Sequence, residues 1–155
     1  MTDEVLQTAA LILKEHHFIR KGSTWYYDEP ETILIINFQR EFGEQYFINA
    51  AVWIKGLGPD VAFPKENHSQ IRARLSTLSR KYPDSADFLN IRKRVSTKVR
   101  RQEIESALTK TVIPFLSRYN SRQKIYDSLT KLEKKAVLWM PSLLREKFIK
   151  MCAVP

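Results

Sequence analysis

The sequence predicts an α+β fold with an N-terminal helix, an antiparallel sheet of about four strands, and C-terminal helices packed on the sheet. Two observations support this prediction. Apolar and aromatic runs of strand length fill much of the first half of the chain, and apolar residues recur at helical spacing in its last third. The 155 residues fit a single domain, with the first helix and the sheet in about 1–80 and a mostly helical part in about 84–155.

The first helix is indicated by the polar residues at its start and by the apolar residues that follow. Thr2 can cap the helix, and the acidic residues Asp3 and Glu4 suit the positive end of the helix dipole. The apolar residues that recur at helical spacing, as far as about His16, are Val5, Ala9, Ile12 and Leu13. We expect this amphipathic helix to lie on the sheet.

Three strands are indicated in the first third of the chain. The aromatic run Thr24–Asp28 is typical of a short strand, and Pro30 ends it because proline donates no hydrogen bond to a neighbouring strand. The runs 32–40 and 44–54 then form a hairpin around the loop 41–43. The final glycine of this loop is expected to take a positive φ and to form a bulge.

The register of this hairpin separates an apolar face from a polar one. Pairing Arg40 with Glu44 gives one wholly apolar face, which we assign to the core. The residues of this face are Leu34, Ile36, Phe38, Tyr46, Ile48, Ala50, Val52 and Ile54. The opposite face carries three side-chain amides among apolar and aromatic residues. The amides are Asn37, Gln39 and Asn49, and their neighbours are Ile33, Ile35, Phe47, Ala51 and Trp53.

Two interpretations of this second face stay open. In the first, another element half covers the face and the amides hydrogen-bond to side chains, loops or water, because an unsatisfied buried amide costs about 1–3 kcal/mol. In the second, the amides exchange hydrogen bonds with a partner while Trp53, Phe47 and Trp25 supply flat contact area. The second interpretation makes the three amides and Trp53 candidate partner-binding residues.

A further strand is expected to begin near His68, although the segment 70–78 fits both a strand and a helix. A strand here would place four side chains in an anion-binding row on one face. These side chains are His68, Gln70, Arg72 and Arg74. His68, Arg72 and Arg74 are therefore candidate partner-binding residues. The alternative is a solvated edge strand whose charges prevent pairing with other chains, which is the commoner use of such charges.

The last third is predicted to be helical from three stripes of apolar residues. The stripes are Ile104, Leu108, Thr111, Phe115 and Tyr119; Ile125, Leu129 and Leu132; and Leu144, Phe148 and Met151. Pro114 is expected to kink or end the first of these helices, because it removes the hydrogen bond to the carbonyl of Lys110. Pro141 suits the first turn of the last helix.

The formal net charge is +9, and it is unevenly distributed along the chain. Residues 1–64 carry a net charge of −4, residues 65–101 carry +8, and residues 102–155 carry +5. Six of the cations lie within 92–101. A basic segment attracts nucleic acid, an acidic protein or a membrane surface, and charge alone does not choose among these partners.

The segment 92–101 supplies the alternative functional hypothesis, which is nucleic-acid binding. The candidate residues, which would share one face of a helix, are Arg94, Lys98 and Arg101. Val95 and Val99 would form the buried seam of that helix. Since no helix-turn-helix, RNA-recognition or zinc-finger signature accompanies the segment, a solvated helix face is the competing interpretation.

Residues that usually carry catalysis or bind metals form no recognisable site in the sequence. There is no phosphate-binding loop and no G-x-S-x-G motif. His16 and His17 are adjacent, so on a helix they point about 100° apart and do not easily share a metal ion. The single cysteine, Cys152, excludes an internal disulfide and a zinc knuckle. We expect no catalytic residue, metal or cofactor, although an enzyme without a recognisable motif stays open.

No segment is predicted to enter a membrane. The longest apolar runs fall short of the ~20 residues that cross a bilayer, and the first residues are acidic where a secretory signal is basic. A single cysteine also fits a reducing compartment. We therefore expect a cytoplasmic protein without membrane insertion.

Five segments resemble, in order, the bacterial family catalogued as domain of unknown function 4304 (DUF4304). The segments are HFIRKG at 17–22, WYY at 25–27, IINFQR at 35–40, YFINA at 46–50 and HSQIRARL at 68–75. The resemblance covers about 4–130. It implies an α+β fold with a strand at 68–75, and Gln39 and Asn49 match polar positions within the strands of the family. Asn67 departs from the pattern, which often has a cysteine there.

The resemblance carries no established activity, but it associates the chain with immunity- or antitoxin-type proteins. The leading hypothesis is a non-catalytic, cytoplasmic interaction protein of bacteria. It binds a protein partner through the sheet face that carries amides and aromatic residues and through the neighbouring basic row. Nucleic-acid binding through 92–101 is the alternative.

Overall fold

The computed structural model describes residues 3–130 and 142–153. These residues form the α+β fold that the sequence predicts. The helices are α1 (Glu4–Glu15), α2 (Leu75–Leu78), α3 (Thr97–Ala107), α4 (Ile113–Ser117), α5 (Arg122–Thr130) and α6 (Ser142–Ala153). The strands are β1 (Ile19–Lys21), β2 (Thr24–Asp28), β3 (Thr32–Glu41), β4 (Gln45–Ile54) and β5 (Ile71–Arg74). Short 3-10 helical turns span Glu66–His68 and Asp87–Leu89, and a π-helical turn spans Leu108–Val112.

The five strands form one antiparallel sheet in the order β1-β2-β3-β4-β5, so each strand lies beside its neighbours in the sequence. The strand that sequence reasoning missed is β1, whose three residues are all exposed and show no alternation of burial. In the ambiguous segment 70–78, β5 ends at Arg74 and α2 begins at Leu75, so both conformations occur in succession. His68 lies in the turn before β5 and is not part of the strand.

Helix α1 is capped by Asp3 rather than by Thr2, which lies outside the described residues. The Asp3 carboxylate accepts hydrogen bonds from the backbone N–H groups of Val5 and Leu6 at 3.1 and 3.2 Å. These are among the donors that the start of a helix leaves unsatisfied. The helix ends at Glu15, and its predicted apolar face is buried in the main core.

The hairpin of β3 and β4 keeps the predicted faces but not the predicted register. Arg40 pairs with Tyr46 rather than with Glu44, and Phe42 and Gly43 take positive φ values of 53° and 74° at the turn. Positive φ at both central residues is typical of the type I′ turns that connect hairpin strands. Because the pairing differs by two residues and side chains alternate with a period of two, each side chain stays on its predicted face.

The helices pack on one face of the sheet and form the main core with it. All predicted core residues of the hairpin are buried there, namely Leu34, Ile36, Phe38, Tyr46, Ile48, Ala50, Val52 and Ile54. Trp25 also lies in this core, where its ring meets that of Phe38 edge-on with centroids 5.5 Å apart. The expectation that Trp25 contributes to the opposite face is therefore wrong.

The helical segment 97–117 continues through Pro114 instead of ending there. The π-helical turn Leu108–Val112 widens the helix just before the proline, whose ring would otherwise clash with the preceding turn. Pro114 then lies at the start of α4, where its missing N–H is tolerated. The residues of the predicted stripe that are buried in this segment are Ile104, Leu108 and Phe115.

Helices α5 and α6 complete the helical layer. Ile125 of α5 and Phe148 of α6 are buried in the main core, as their stripes predict. Leu132 and Pro141, which the sequence assigns to these helices, lie outside the described residues. Among the helices that the structure describes, none has the length and apolar character needed to span a membrane.

Candidate functional site

The outer face of the sheet, opposite the helices, carries a row of polar side chains that crosses all five strands. Strand register pairs each member with the next, and we refer to this set as the polar row. Its members are Lys21, Thr24, Asn37, Asn49 and Arg74, one from each strand in order. Because neighbouring strands lie ~4.8 Å apart, the row measures about 19 Å between its terminal Cα atoms.

Side-chain hydrogen bonds connect four members of the polar row. Asn37 Nδ2 donates to Thr24 Oγ1 at 2.9 Å, and Asn49 Nδ2 lies 3.4 Å from Asn37 Oδ1. Arg74 Nε donates to Asn49 Oδ1 at 3.2 Å. Gln39 lies beside the row, and its Oε1 accepts from Asn49 Nδ2 at 3.0 Å and from Arg74 Nη2 at 3.4 Å. The three amides that interrupt the apolar strands therefore satisfy one another's hydrogen bonds and orient the guanidinium of Arg74.

Arg74 ends the polar row with a fixed positive charge. Its guanidinium carbon lies 4.5 Å from the ring centroid of Phe47, and its side chain is 34% exposed. Asp84 Oδ2 lies 3.9 Å from Nη1, which is the outer limit of an ion pair. Stacking on Phe47 and the hydrogen bonds to the two amide oxygens hold the guanidinium plane in one orientation.

The rest of the outer face is apolar and is largely covered by the chain itself. Its buried cluster consists of Tyr26, Ile33, Ile35, Ala51 and Trp53. Trp53 is only 7% exposed, and its ring packs so close to Gly58 that an added Cβ would lie 3.4 Å away. Phe63 meets Tyr26 edge-on with ring centroids 5.2 Å apart. The loop after β4 therefore covers Trp53, whereas Asn37 and Gln39 beside it are half-buried.

The expected row of His68, Gln70, Arg72 and Arg74 does not form. His68 is exposed in the turn before β5, and Gln70 is buried, where its Oε1 accepts from a backbone N–H of β4 at 2.8 Å. Arg72 does share the outer face of β5 with Arg74. However, Arg72 Nε and Nη2 donate to the Glu66 carboxylate at 2.9 and 3.4 Å, so its charge is already paired.

The basic segment 92–101 does not form a single helix face. Helix α3 begins at Thr97, so Arg94 precedes the helix and does not share a face with Lys98 and Arg101. All three candidate side chains are exposed. The segment therefore offers cations to solvent, but not in the helical arrangement that the sequence predicts.

The valines of this segment differ from expectation, and one of its cations is paired. Val99 is 46% exposed, so Val95 and Val99 form no buried seam. Arg92 Nη1 lies 2.6 Å from the Glu44 carboxylate, which compensates part of the positive charge.

Arg100 is buried and has a structural role that sequence reasoning missed. It is 2% exposed, and its Nη1 donates to the carbonyls of Phe88 and Asn90 at 2.7 and 3.1 Å. Nη2 donates to the carbonyl of Lys93 at 3.1 Å, and Nε lies 3.4 Å from the Glu4 carboxylate. One side chain thus joins the start of α1, the turn before α3 and α3 itself.

Tyr46 connects the sheet to the first helix. Its buried hydroxyl donates a hydrogen bond to the Asp3 carboxylate that caps α1. Burial, together with this hydrogen bond and the nearby negative charge, raises the pKa of Tyr46 to about 12. The hydroxyl therefore stays protonated at neutral pH. Within residues 3–130 and 142–153, no group of three or more His, Cys, Asp or Glu side chains is placed to hold a metal ion.

One family model matches residues 9–118, and its description is a domain of unknown function, DUF4304. The matched residues contain the whole polar row and helix α3, and they end before α5. Searches of curated proteins and of solved structures gave no match. Since the match spans more than half of the chain, this protein belongs to the DUF4304 family.

Proposed function

We propose that this chain is a non-catalytic, cytoplasmic interaction protein that binds a protein partner through the polar row on the outer face of its sheet. The observation that supports this most directly is the half-exposed Arg74 guanidinium, which is stacked on Phe47 and anchored by two amides. Arginine and aromatic side chains are enriched where protein interfaces concentrate their binding free energy.

The chemistry of the polar row favours binding over catalysis. Its members are a hydroxyl, two amides, a lysine and an arginine, and none of these groups ordinarily titrates near neutral pH. The row is held by its own hydrogen bonds before a partner arrives, which reduces the entropy lost on association. If the partner is a toxin, the same surface would serve an immunity- or antitoxin-type role.

Affinity capture from a host extract tests this proposal. Three baits would be compared, namely the wild-type chain, an Arg74→Gln variant and a Lys14→Gln variant. The proteins that each bait captures would be quantified by mass spectrometry. Lys14 is exposed on α1, on the helical side of the sheet, so this control removes the same charge away from the polar row. We expect a protein that the wild type and Lys14→Gln retain and that Arg74→Gln loses. Equal capture by all three baits, or none by any, would contradict the proposal.

Nucleic-acid binding through 92–101 is the second proposal. Five cations of this segment are exposed. Arg92 is paired with Glu44, and the four that support the proposal are Lys93, Arg94, Lys98 and Arg101. With at most four phosphate contacts, the logarithm of the affinity for duplex DNA should fall with a slope of about −3.6 or less steeply against the logarithm of salt concentration. A gel-shift series with Arg94, Lys98 and Arg101 all changed to Ala tests it. Unchanged binding would remove this proposal.

A further inference from the structure

We infer that Arg74 binds a carboxylate side chain of the partner protein through the edge of its guanidinium formed by Nη1 and Nη2. This inference rests on the proposed function and names the chemical group that the polar row recognises. Three observations support it: the donors of Arg74 that are already used, the contacts that hold the guanidinium, and the charges that surround it.

The amide network uses only some of the donors of Arg74. A guanidinium has five N–H groups. Nε and one N–H of Nη2 donate to the amide oxygens of Asn49 and Gln39 at 3.2 and 3.4 Å. Among the residues that the structure describes, the two N–H groups on Nη1 and the second one on Nη2 have no acceptor, and Nη1 is not buried. These two nitrogens form the edge that can donate two parallel hydrogen bonds to one carboxylate.

The guanidinium of Arg74 is held on one edge and on one face. The amides occupy the adjacent edge, formed by Nε and Nη2, and Phe47 lies against the guanidinium, whose carbon is 4.5 Å from the ring centroid. These contacts hold the plane in one orientation and leave the edge formed by Nη1 and Nη2 without a hydrogen-bond acceptor among the described residues. We refer to the edge formed by Nη1 and Nη2 as the fork. A guanidinium held in one orientation loses less entropy on binding than a mobile one, and its fork selects planar anions over acceptors that offer a single atom.

The Asp84 carboxylate already approaches one of the free donors of Arg74, Nη1. Its Oδ2 lies 3.9 Å from Nη1, beyond hydrogen-bond distance, and its side chain is 52% exposed. Exposed ion pairs of this kind contribute little to stability, so a partner's carboxylate can replace Asp84 at small cost. Asp84 thus shows which group the fork attracts without occupying it fully.

The surrounding charge favours a carboxylate over a phosphate. Asp84 lies near Nη1, and Glu41 lies beside Gln39, whose Nε2 donates to the Glu41 Oε1 at 2.5 Å. Two neighbouring negative charges repel a phosphate dianion more strongly than a carboxylate monoanion. These charges therefore favour the carboxylate of an Asp or Glu side chain of the partner protein over a phosphate dianion.

The test is an NMR titration that observes the Nε–H cross-peak of Arg74. The probes are a short peptide whose one charged side chain is a Glu, the same peptide with Gln in its place, and inorganic phosphate. We expect the Glu peptide to shift the Arg74 cross-peak saturably and the Gln peptide to leave it unchanged. The cross-peak of Arg72, whose guanidinium is paired with Glu66, is the internal control and should not shift.

Two variants with opposite effects sharpen the test. Asp84→Asn removes the competing carboxylate and should tighten binding of the Glu peptide by about two- to fivefold. Arg74→Lys removes the fork and should weaken binding by about tenfold or more, observed at the side-chain amide of Asn49. If Arg74→Lys fails to fold, the affinity of Asp84→Asn for the Glu peptide tests the inference instead.

Equal shifts with the Glu and Gln peptides, tighter binding of phosphate than of the Glu peptide, or no tightening in Asp84→Asn would each overturn the inference. These outcomes are separate from those of affinity capture. A partner lost by Arg74→Gln but bound equally by wild type and Arg74→Lys would overturn the carboxylate fork and leave the proposed function intact. If the Glu peptide shifts the Arg74 cross-peak but no partner is captured, the proposed function fails and the carboxylate fork stands.

Discussion

Asn49 and Arg74 face each other across β4 and β5, and Arg74 Nε donates to Asn49 Oδ1 at 3.2 Å. Asn49 is 5% exposed, and its Nδ2 donates to Gln39 Oε1, so its amide is used on both sides. This pair joins a buried amide network to the half-exposed cation that the proposed function requires. The stability of the sheet and the geometry of the site therefore depend on the same side chain.

Replacing Asn49 with Ala should destabilise the fold by about 1–3 kcal/mol, because Arg74 and Gln39 lose a partner in a partly buried network. Urea unfolding followed by circular dichroism measures this change. Asn67→Ala is the matched control, since Asn67 is exposed in the turn before β5 and should change the free energy of unfolding by less than about 0.5 kcal/mol. Equal effects of the two substitutions would show that the amide network contributes nothing.

Replacing Arg100 with Met should cost about 3 kcal/mol or more, whereas Arg101→Met should cost less than about 0.5 kcal/mol. The neighbours differ because Arg100 donates to three backbone carbonyls and pairs with Glu4, while Arg101 is exposed. Thermal and urea unfolding of both variants make the comparison. A stable Arg100→Met protein would contradict the structural role assigned to this cation.

The pKa of Tyr46 predicts a loss of stability at high pH. Folding raises this pKa from 10.0 to about 12, so the native state favours the protonated hydroxyl. The Tyr46 hydroxyl contributes its full stabilisation below the pKa it has in the unfolded state, and this stabilisation is lost as the pH rises towards the pKa it has in the folded state. The stability difference between wild type and Tyr46→Phe should therefore shrink by about 2 kcal/mol between about pH 9 and pH 12. Urea titrations across this range measure it, and a constant difference would contradict the raised pKa that burial and the Asp3 contact give Tyr46.

The faces of the hairpin were predictable from the sequence, but its register was not. Side chains alternate with a period of two, so the apolar residues and the amides separate into the same two faces for any even shift in pairing. The predicted loop at 41–43 lies one residue too early, because that loop and a turn centred on Phe42 and Gly43 both give Gly43 a positive φ. The positive φ of Phe42 carries no signal in the sequence, because it is uncommon for that residue type.

The polar row was predictable only in its middle. The hairpin alone predicts that Asn37 and Asn49 share a face, but their direct pairing depends on the register, and the alignment of Thr24 and Lys21 with them depends on the exact lengths of two turns. Arg100 shows a further limit. A count of cations treats it like its neighbour Arg101, and its burial depends on carbonyls of a turn that the sequence does not specify.

Site-specific photo-crosslinking in the host tests the central claim, which is that the outer face of the sheet binds a protein partner. Benzoylphenylalanine would replace Arg72, which is exposed on the outer face beside the polar row, or Leu11, which is 56% exposed on the helical side. We expect a protein adduct from position 72, resistant to nuclease, and none from position 11. No adduct from position 72, an adduct from position 11 alone, or an adduct at position 72 that nuclease removes would contradict the claim.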